Sequence, residues 1–211
     1  MLKVVAINGS PNQAKGHTAM ILKPFLDGLK SEGAEVKLYY ASQLKVKPCS
    51  CGHLYCWNRS PGECIFQDSM QPIYPLLKQA EVLVLATPVY IPLPGEMQNF
   101  INRLTPLLNP DIAYREGRTR AKFREDVQIR KIVLVATGGW WEAENFDTVV
   151  RIVKELVAVA GLDYSGSVIR PHVQYMKIDG EMSQEGQEIL GLVKQAAKES
   201  VSYTHLRAHE T

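Results

Sequence analysis

Val4-Val5-Ala6-Ile7-Asn8-Gly9-Ser10-Pro11-Asn12-Gln13-Ala14-Lys15-Gly16-His17-Thr18-Ala19 is an apolar run that gives way to a loop of small and polar residues. Ile21, Leu22, Phe25, Leu26 and Leu29 then recur at helical spacing. A strand, a small-residue loop and a helix in that order form a phosphate-binding device. The loop offers backbone N–H groups and the hydroxyls of Ser10 and Thr18, and the helix N-terminus adds partial positive charge. The loop is not G-x-G-x-x-G and does not end in G-K-[ST], so the dinucleotide fingerprint and the P-loop both fit badly. One terminal phosphate, held on hydroxyls and amides, fits.

Downstream, strands and helices alternate. Strands are expected over Lys3–Asn8, Glu35–Tyr40, Val82–Thr87, Ile132–Ala136 and Tyr164–Ile169. Helices are expected over Met70–Ala80, Gly95–Leu107, the Phe146–Val157 region and Gln184–Lys198. Residues 41–69 and 109–128 read as irregular insertions. The alternation implies right-handed βαβ crossovers and a parallel sheet covered on both faces. Five strands favour the flavodoxin-like α/β order 2-1-3-4-5, whose ligand site lies outside the carboxyl ends of the strands. Residues 1–200 form one domain in this reading. The tail 201–211 does not continue the helical pattern and reads as non-native.

Composition narrows the class. Of 211 residues 45% are apolar and 22% charged, with a formal net charge of +2. These are ordinary values for a globular enzyme, and they give no reason to expect nucleic acid or a membrane as partner. With no signal peptide read at the start, the expected location is cytoplasmic. All four cysteines fall between Cys49 and Cys64, which in a reducing compartment points to metal or redox chemistry rather than disulfides.

The strand-end rule brings two further loops to the first. Thr87-Pro88-Val89-Tyr90-Ile91-Pro92-Leu93-Pro94-Gly95 is stiffened by its prolines and suits the wall of a flat isoalloxazine ring. Thr137-Gly138-Gly139-Trp140-Trp141 lets backbone approach a ligand closely, and its indoles are expected on a ligand, on a partner subunit or over the core.

Ile7-Asn-Gly-Ser-Pro with Gly16-His-Thr-Ala, Thr87-Pro-Val-Tyr and Phe100-Ile-Asn-Arg-Leu104 resembles the NADPH-dependent FMN reductase family, and within it the iron–sulfur flavoprotein branch. The resemblance implies that Ser10, Asn12, Gly16, His17 and Thr18 hold the FMN phosphate. It implies that Pro88, Val89, Tyr90 and Ile91 line the ring and that Thr137, Gly138 and Gly139 close the pocket. His17 departs from the asparagine common in that family. NAD(P)H is then the electron donor and a quinone or another small molecule the acceptor. No protein acid, base or nucleophile is assigned, because the hard chemistry is the flavin's. The resemblance also implies a homodimer or homotetramer.

Cys49, Cys51, Cys56 and Cys64 are the candidate ligands of a [4Fe–4S] cluster, which would make the chain an electron carrier with ferredoxin-like partners. Cys56-Trp57 and Pro61-Gly62-Glu63-Cys64 match that branch, but Cys49 and Cys51 are too closely spaced, and His53 stands where a ligand Cys is expected. A zinc site using His53, or a loop with no metal, stays open. Finally, Arg115, Arg118, Arg120, Lys122, Arg124, Arg130 and Lys131 read either as a lid for NAD(P)H phosphates or as a solvated loop offset by Glu116, Glu125 and Asp126.

Overall fold

The computed structural model describes residues 1–52, 54–115 and 117–208, with side chains described to residue 200. In chain order the elements are β1 (Lys3–Asn8), α1 (His17–Ser31), β2 (Glu35–Tyr40), α2 (Ala41–Leu44), α3 (Tyr55–Asn58), α4 (Tyr74–Gln79), β3 (Val82–Pro88) and α5 (Gly95–Asn102). They continue with β4 (Leu108–Arg115), β5 (Arg118–Phe123), β6 (Lys131–Thr137), α6 (Asp147–Ala160), β7 (Ser167–Arg170), β8 (Lys177–Ile178), β9 (Glu181–Met182) and α7 (Gln184–Ala208).

Five strands form one parallel sheet in the order β2-β1-β3-β6-β7, which is the 2-1-3-4-5 order expected of a flavodoxin-like fold. The three central strands are apolar because both faces are covered. Val5, Ile7, Leu83, Leu85, Ile132 and Leu134 point into a core shared with α4, α5, α6 and the β4–β5 hairpin. Val4, Ala6, Val84, Val133 and Val135 point the other way, against α1 and α7. Helix α6 shows the logic at one element. Val149, Val153 and Val157 form its buried stripe, and Gly161 at φ +79° ends it while Leu162 N–H bonds back to the Val157 carbonyl. Among the described residues no helix is long and apolar enough to cross a membrane.

The structure corrects several of these expectations. Residues 109–128 are largely an antiparallel β4–β5 hairpin, not an irregular insertion. Ala121 and Phe123 alternate inward against the α6 side of the sheet, while Arg118, Thr119 and Lys122 point out. The helix expected over Met70–Ala80 begins only at Tyr74, where Pro75 sits in its first turn. The one expected over Gly95–Leu107 stops at Asn102, and Pro106 confines the next residues to a short 3₁₀ turn. The last strand is shifted to Ser167–Arg170. Helix α7 runs past Lys198 to Ala208, for residues 192–208 contain no Gly or Pro to stop it.

Residues 41–69 are pinned by a buried ion pair. Arg103, at the end of α5, is fully buried and donates to Asp68 through both terminal nitrogens, at 2.7 and 3.1 Å. It also bonds the Lys47 carbonyl at 2.9 Å and lies 5.0 Å from the Phe66 ring centroid. Burial alone would raise the Asp68 pKa, but bonds from Arg103 and the Met70 and Lys47 amides hold it below the ordinary carboxylate value. Breaking such a pair leaves one charge buried alone, so Arg103→Met should cost about 3–5 kcal/mol in urea unfolding. Because the folded Asp68 pKa lies below its unfolded value near 3.8, its contribution is present above pH 4 and disappears as pH falls through the folded value. Asp68→Asn should remove that part of the acid sensitivity, read as the slope of stability against pH below 4.

Candidate functional site

Three loops converge at the carboxyl edge of the sheet. The first leaves β1 with Gly9 N–H bonded to the Ala86 carbonyl at 2.7 Å, so it starts hard against β3. Ser10 N–H bonds Asn8 Oδ1 at 2.9 Å and the Ser10 side chain is buried. Gly16 closes the loop. A Cβ there would stand 2.7 Å from Ser10 Oγ and 3.1 Å from Asn12 Cβ, so only glycine lets the loop fold over the Ser10 hydroxyl. Gly16 is also the N-cap of α1 and supplies no side-chain cap. The first-turn amides of this 15-residue helix therefore face the loop and suit an anion. Asn12 and His17 are exposed on the rim, and Thr18 is buried.

The second loop follows β3. Val89 N–H donates to the Thr137 carbonyl at 2.8 Å, and Tyr90 N–H donates to the Pro92 carbonyl at 2.9 Å. The Ile91–Pro92 peptide is cis. Pro88 and Val89 are half-buried, while Tyr90 is 52% exposed and Ile91 fully exposed. The third loop follows β6. Thr137 is buried, and its hydroxyl meets that of Thr18 at 2.8 Å. Gly138 is buried and Gly139 exposed, with the Gly139 carbonyl accepting from Gln174 Nε2 at 2.9 Å.

Thr137 thus ties the first loop to the second. The twelve residues expected to hold FMN lie on these three loops and the strand and helix ends that root them, with Ser10, Gly16 and Thr18 buried on the phosphate side, Asn12 and His17 exposed at its rim, and Tyr90 and Ile91 exposed on the apolar wall. A cradle that a Cβ at Gly16 would fill, beside a hydroxyl and free helix amides, fits a terminal phosphate.

A fourth contributor, unread in the sequence, is the segment after β7. His172 is buried in a left-handed conformation (φ +52°), with its N–H on the Trp140 carbonyl at 2.8 Å. Its ring lies between Trp141 and Tyr175, with centroids at 3.2 and 3.6 Å. Desolvation and then the nearby Arg170 hold its pKa below the ordinary histidine value, so it is neutral at pH 7. The strand-end rule that pointed to the other loops applies equally after the fifth strand. Trp140 and Trp141 do not cap the core: they are 71% and 68% exposed beside this segment.

The cysteines lie elsewhere, in the 41–69 insertion. Cys49 is exposed, Cys51 and Cys64 are half-buried and Cys56 is buried, all as free thiols. Burial first, and then the fields of Cys51 and Cys64, raises Cys49; burial and then the fields of Cys51, Cys49 and Cys64 push Cys56 to about 11. The four therefore share one neighbourhood. Yet among the described residues no three His, Cys, Asp or Glu side chains stand ready to hold one ion. His53 and Glu116, both weighed from sequence, lie outside the described residues.

The family model described as NADPH-dependent FMN reductase matches residues 2–160. An iron–sulfur flavoprotein of Archaeoglobus fulgidus is 32% identical over 107 residues, which are 50% of this chain and 46% of that protein. One from Methanocaldococcus jannaschii is 33% identical over 119 residues, 56% of this chain and 58% of that protein. The chain spans about half the length of the curated relatives it matches. In fold it is similar to an NAD(P)H:quinone oxidoreductase from Methanothermobacter marburgensis, with a TM-score of 0.63 at 14% identity over 93% of this chain and 96% of that one. It is similar too to an FMN-dependent NADH-azoreductase from Bacillus anthracis in complex with FMN, with a TM-score of 0.64 at 14% identity over 97% and 99%.

The Thr18–Thr137 pair supports a direct test. Thr137→Val leaves the Thr18 hydroxyl buried without its partner and should cost about 1–3 kcal/mol, as should Thr18→Val. The double variant removes both hydroxyls, so its loss should fall well short of the sum, read by urea denaturation as a double-mutant cycle.

Proposed function

The chain belongs to the NADPH-dependent FMN reductase family, and from that premise we propose that it is an FMN-dependent NAD(P)H oxidoreductase passing electrons to a quinone or another small acceptor. The observation that carries this reading is the junction at Thr137, which fixes a phosphate cradle and a ring wall relative to each other. In this reading Ser10, Gly16 and Thr18, with the first amides of α1, bind the phosphate, and Asn12 and His17 close its outer side. Pro88, Val89, Tyr90 and Ile91 bound one edge of the ring, and Thr137, Gly138 and Gly139 close the other, with the Gly138 N–H taken by the Arg170 carbonyl at 3.1 Å. FMN, when bound, supplies the hydride chemistry, so no protein acid or base is required. The exposed Tyr90, Ile91 and Trp140 leave a flat, apolar approach for a nicotinamide and then for a planar acceptor. The same surface suits contact with a second copy, which makes a homodimer part of the reading; a monomeric mass by light scattering would remove that part. Four free thiols accord with a reducing, cytoplasmic setting.

A second reading rests on the shared neighbourhood of the four cysteines. The donor set suits a [4Fe–4S] cluster held by Cys49, Cys51, Cys56 and Cys64, and Arg103 supplies a nearby positive charge. The chain would then act as an electron carrier toward ferredoxin-like partners. Raised thiol pKa values mean that ligation must release protons, so loading should improve as pH rises.

Reconstitution with FMN and then steady-state turnover of NADPH or NADH with a quinone tests the first reading. Ser10→Ala should weaken FMN binding about tenfold, the loss of one hydrogen bond to a charged group, with the fold intact by circular dichroism. Failure of the wild type to retain FMN overturns this reading. Iron and acid-labile sulfide in the purified protein test the second: four of each per chain support the carrier, and a pure flavin spectrum removes it.

A further inference from the structure

A cluster of positive charge belongs to neither reading. A cavity of about 560 Å³ lies between the β4–β5 hairpin and the C-terminal half of α6. Arg115, Arg118 and Arg120 reach it from the hairpin, and Arg151 and Lys154 reach it from the helix. Against these five cations the described lining holds two carboxylates, Glu155 and Asp163, a net of +3.

Glu155 alone takes three of the arginines: Arg118 at 3.1 Å, Arg120 at 2.8 Å and Arg151 at 3.0 Å. One carboxylate shared by three guanidiniums leaves most of their N–H donors unused, since each guanidinium carries five. Arg115 has no carboxylate partner among the described residues and donates to the Ala121 and Ala158 carbonyls. Lys154 likewise has none, and its ammonium stands 5.2 Å from the Tyr164 ring centroid. The Tyr164 hydroxyl is buried with no hydrogen-bond partner. Val157, Ala158 and Leu162 complete the lining with apolar groups.

The cavity is remote from the flavin loops. Phe146, at the start of α6, packs against Gly138, whereas Gly161, at the end of α6, lines the cavity. Fourteen helical residues separate the two, about 20 Å at 1.5 Å per residue. A nicotinamide whose diphosphate sat in this cavity would not reach the ring. A terminal phosphate of FMN in the loop cradle is equally out of reach.

Planar guanidiniums from two elements, gathered on Glu155 beside a volume suited to a small molecule, match phosphate oxygens in bidentate geometry. We propose that this cavity is a second anion site that binds a diphosphate group, free or carried by a nucleoside, independently of the flavin site. The ligand's oxygens replace water around Arg118, Arg151 and Lys154, while Glu155 limits the affinity by competing for the arginines.

The test uses FMN-loaded protein, so that the loop cradle is filled, and isothermal titration at low salt with inorganic pyrophosphate, ADP and adenosine as probes. Saturable one-to-one binding of pyrophosphate or ADP is expected, weakening as salt is raised. Equal affinity for the two assigns recognition to the diphosphate alone, and tighter ADP assigns part of it to the nucleoside. Arg118→Gln combined with Lys154→Gln should weaken binding at least tenfold, while Glu155→Gln should tighten it, with FMN content and melting temperature of the surface double variant unchanged. No saturable binding of either anion overturns the proposal. So does binding that the double variant leaves intact, equal binding of adenosine, or a wild-type dimer that the double variant splits and that excludes pyrophosphate.

Discussion

Everything at the sheet's carboxyl edge depends on the parallel register that brings Thr137 level with Pro88 on one side and Arg170 on the other. A side chain at that point can reach the β1 loop while its own carbonyl faces the β3 loop. Thr137 uses both reaches, bonding Thr18 with its hydroxyl and Val89 with its carbonyl. The loops contain little regular structure of their own, so their separation is set by strand spacing rather than by local preference. This is a general solution to positioning a ligand on flexible segments: the rigid sheet fixes their roots, and a few buried polar contacts fix the rest.

A different constraint governs the cysteine insertion. Its two short helices, Ala41–Leu44 and Tyr55–Asn58, could not persist alone. They are held by Arg103 and Asp68, by Tyr74 Oη donating to the Arg103 carbonyl at 2.9 Å, and by Trp57 Nε1 donating to the Thr105 carbonyl at 3.1 Å. These contacts meet at the end of α5, while Ser42 and Gln43 bond the Gln13 side chain at 3.2 and 2.8 Å, so the insertion is anchored at the β1 loop as well. The Arg103 Nε is buried without a partner, a cost the structure carries at the same junction.

The central sheet was legible because burial on both faces leaves long apolar runs with no competing pattern. Val82–Thr87 and Ile132–Ala136 could hardly be anything else. The β4–β5 hairpin was not legible, because it buries one face only and its outer face is a row of charges that reads as a solvated loop. Candidate loops came from topology once the strands were placed. The contacts that join them did not, since Thr18 and Thr137 are 119 residues apart and neither carries a motif that announces the other. His172 was missed for a similar reason: its burial comes from Trp141 and Tyr175, which flank it in space, and no periodicity marks them. Arg103 could be read only as one letter of a family-like stretch until the structure placed Asp68 opposite it.

Helices α1 and α7 pack so closely that a Cβ on Gly28 would stand 2.4 Å from the Lys194 carbonyl. The apolar face of α1, with Phe25, Leu26 and Leu29, is thus sheltered in part by Val193 and Ala197, more than 160 residues later in the chain. During synthesis from the amino end, α1 emerges well before α7, at about 5–20 residues per second. For roughly ten seconds or more, a greasy helix surface on the growing chain has no permanent cover. This layer of the core therefore closes only after all five strands of the sheet have been made.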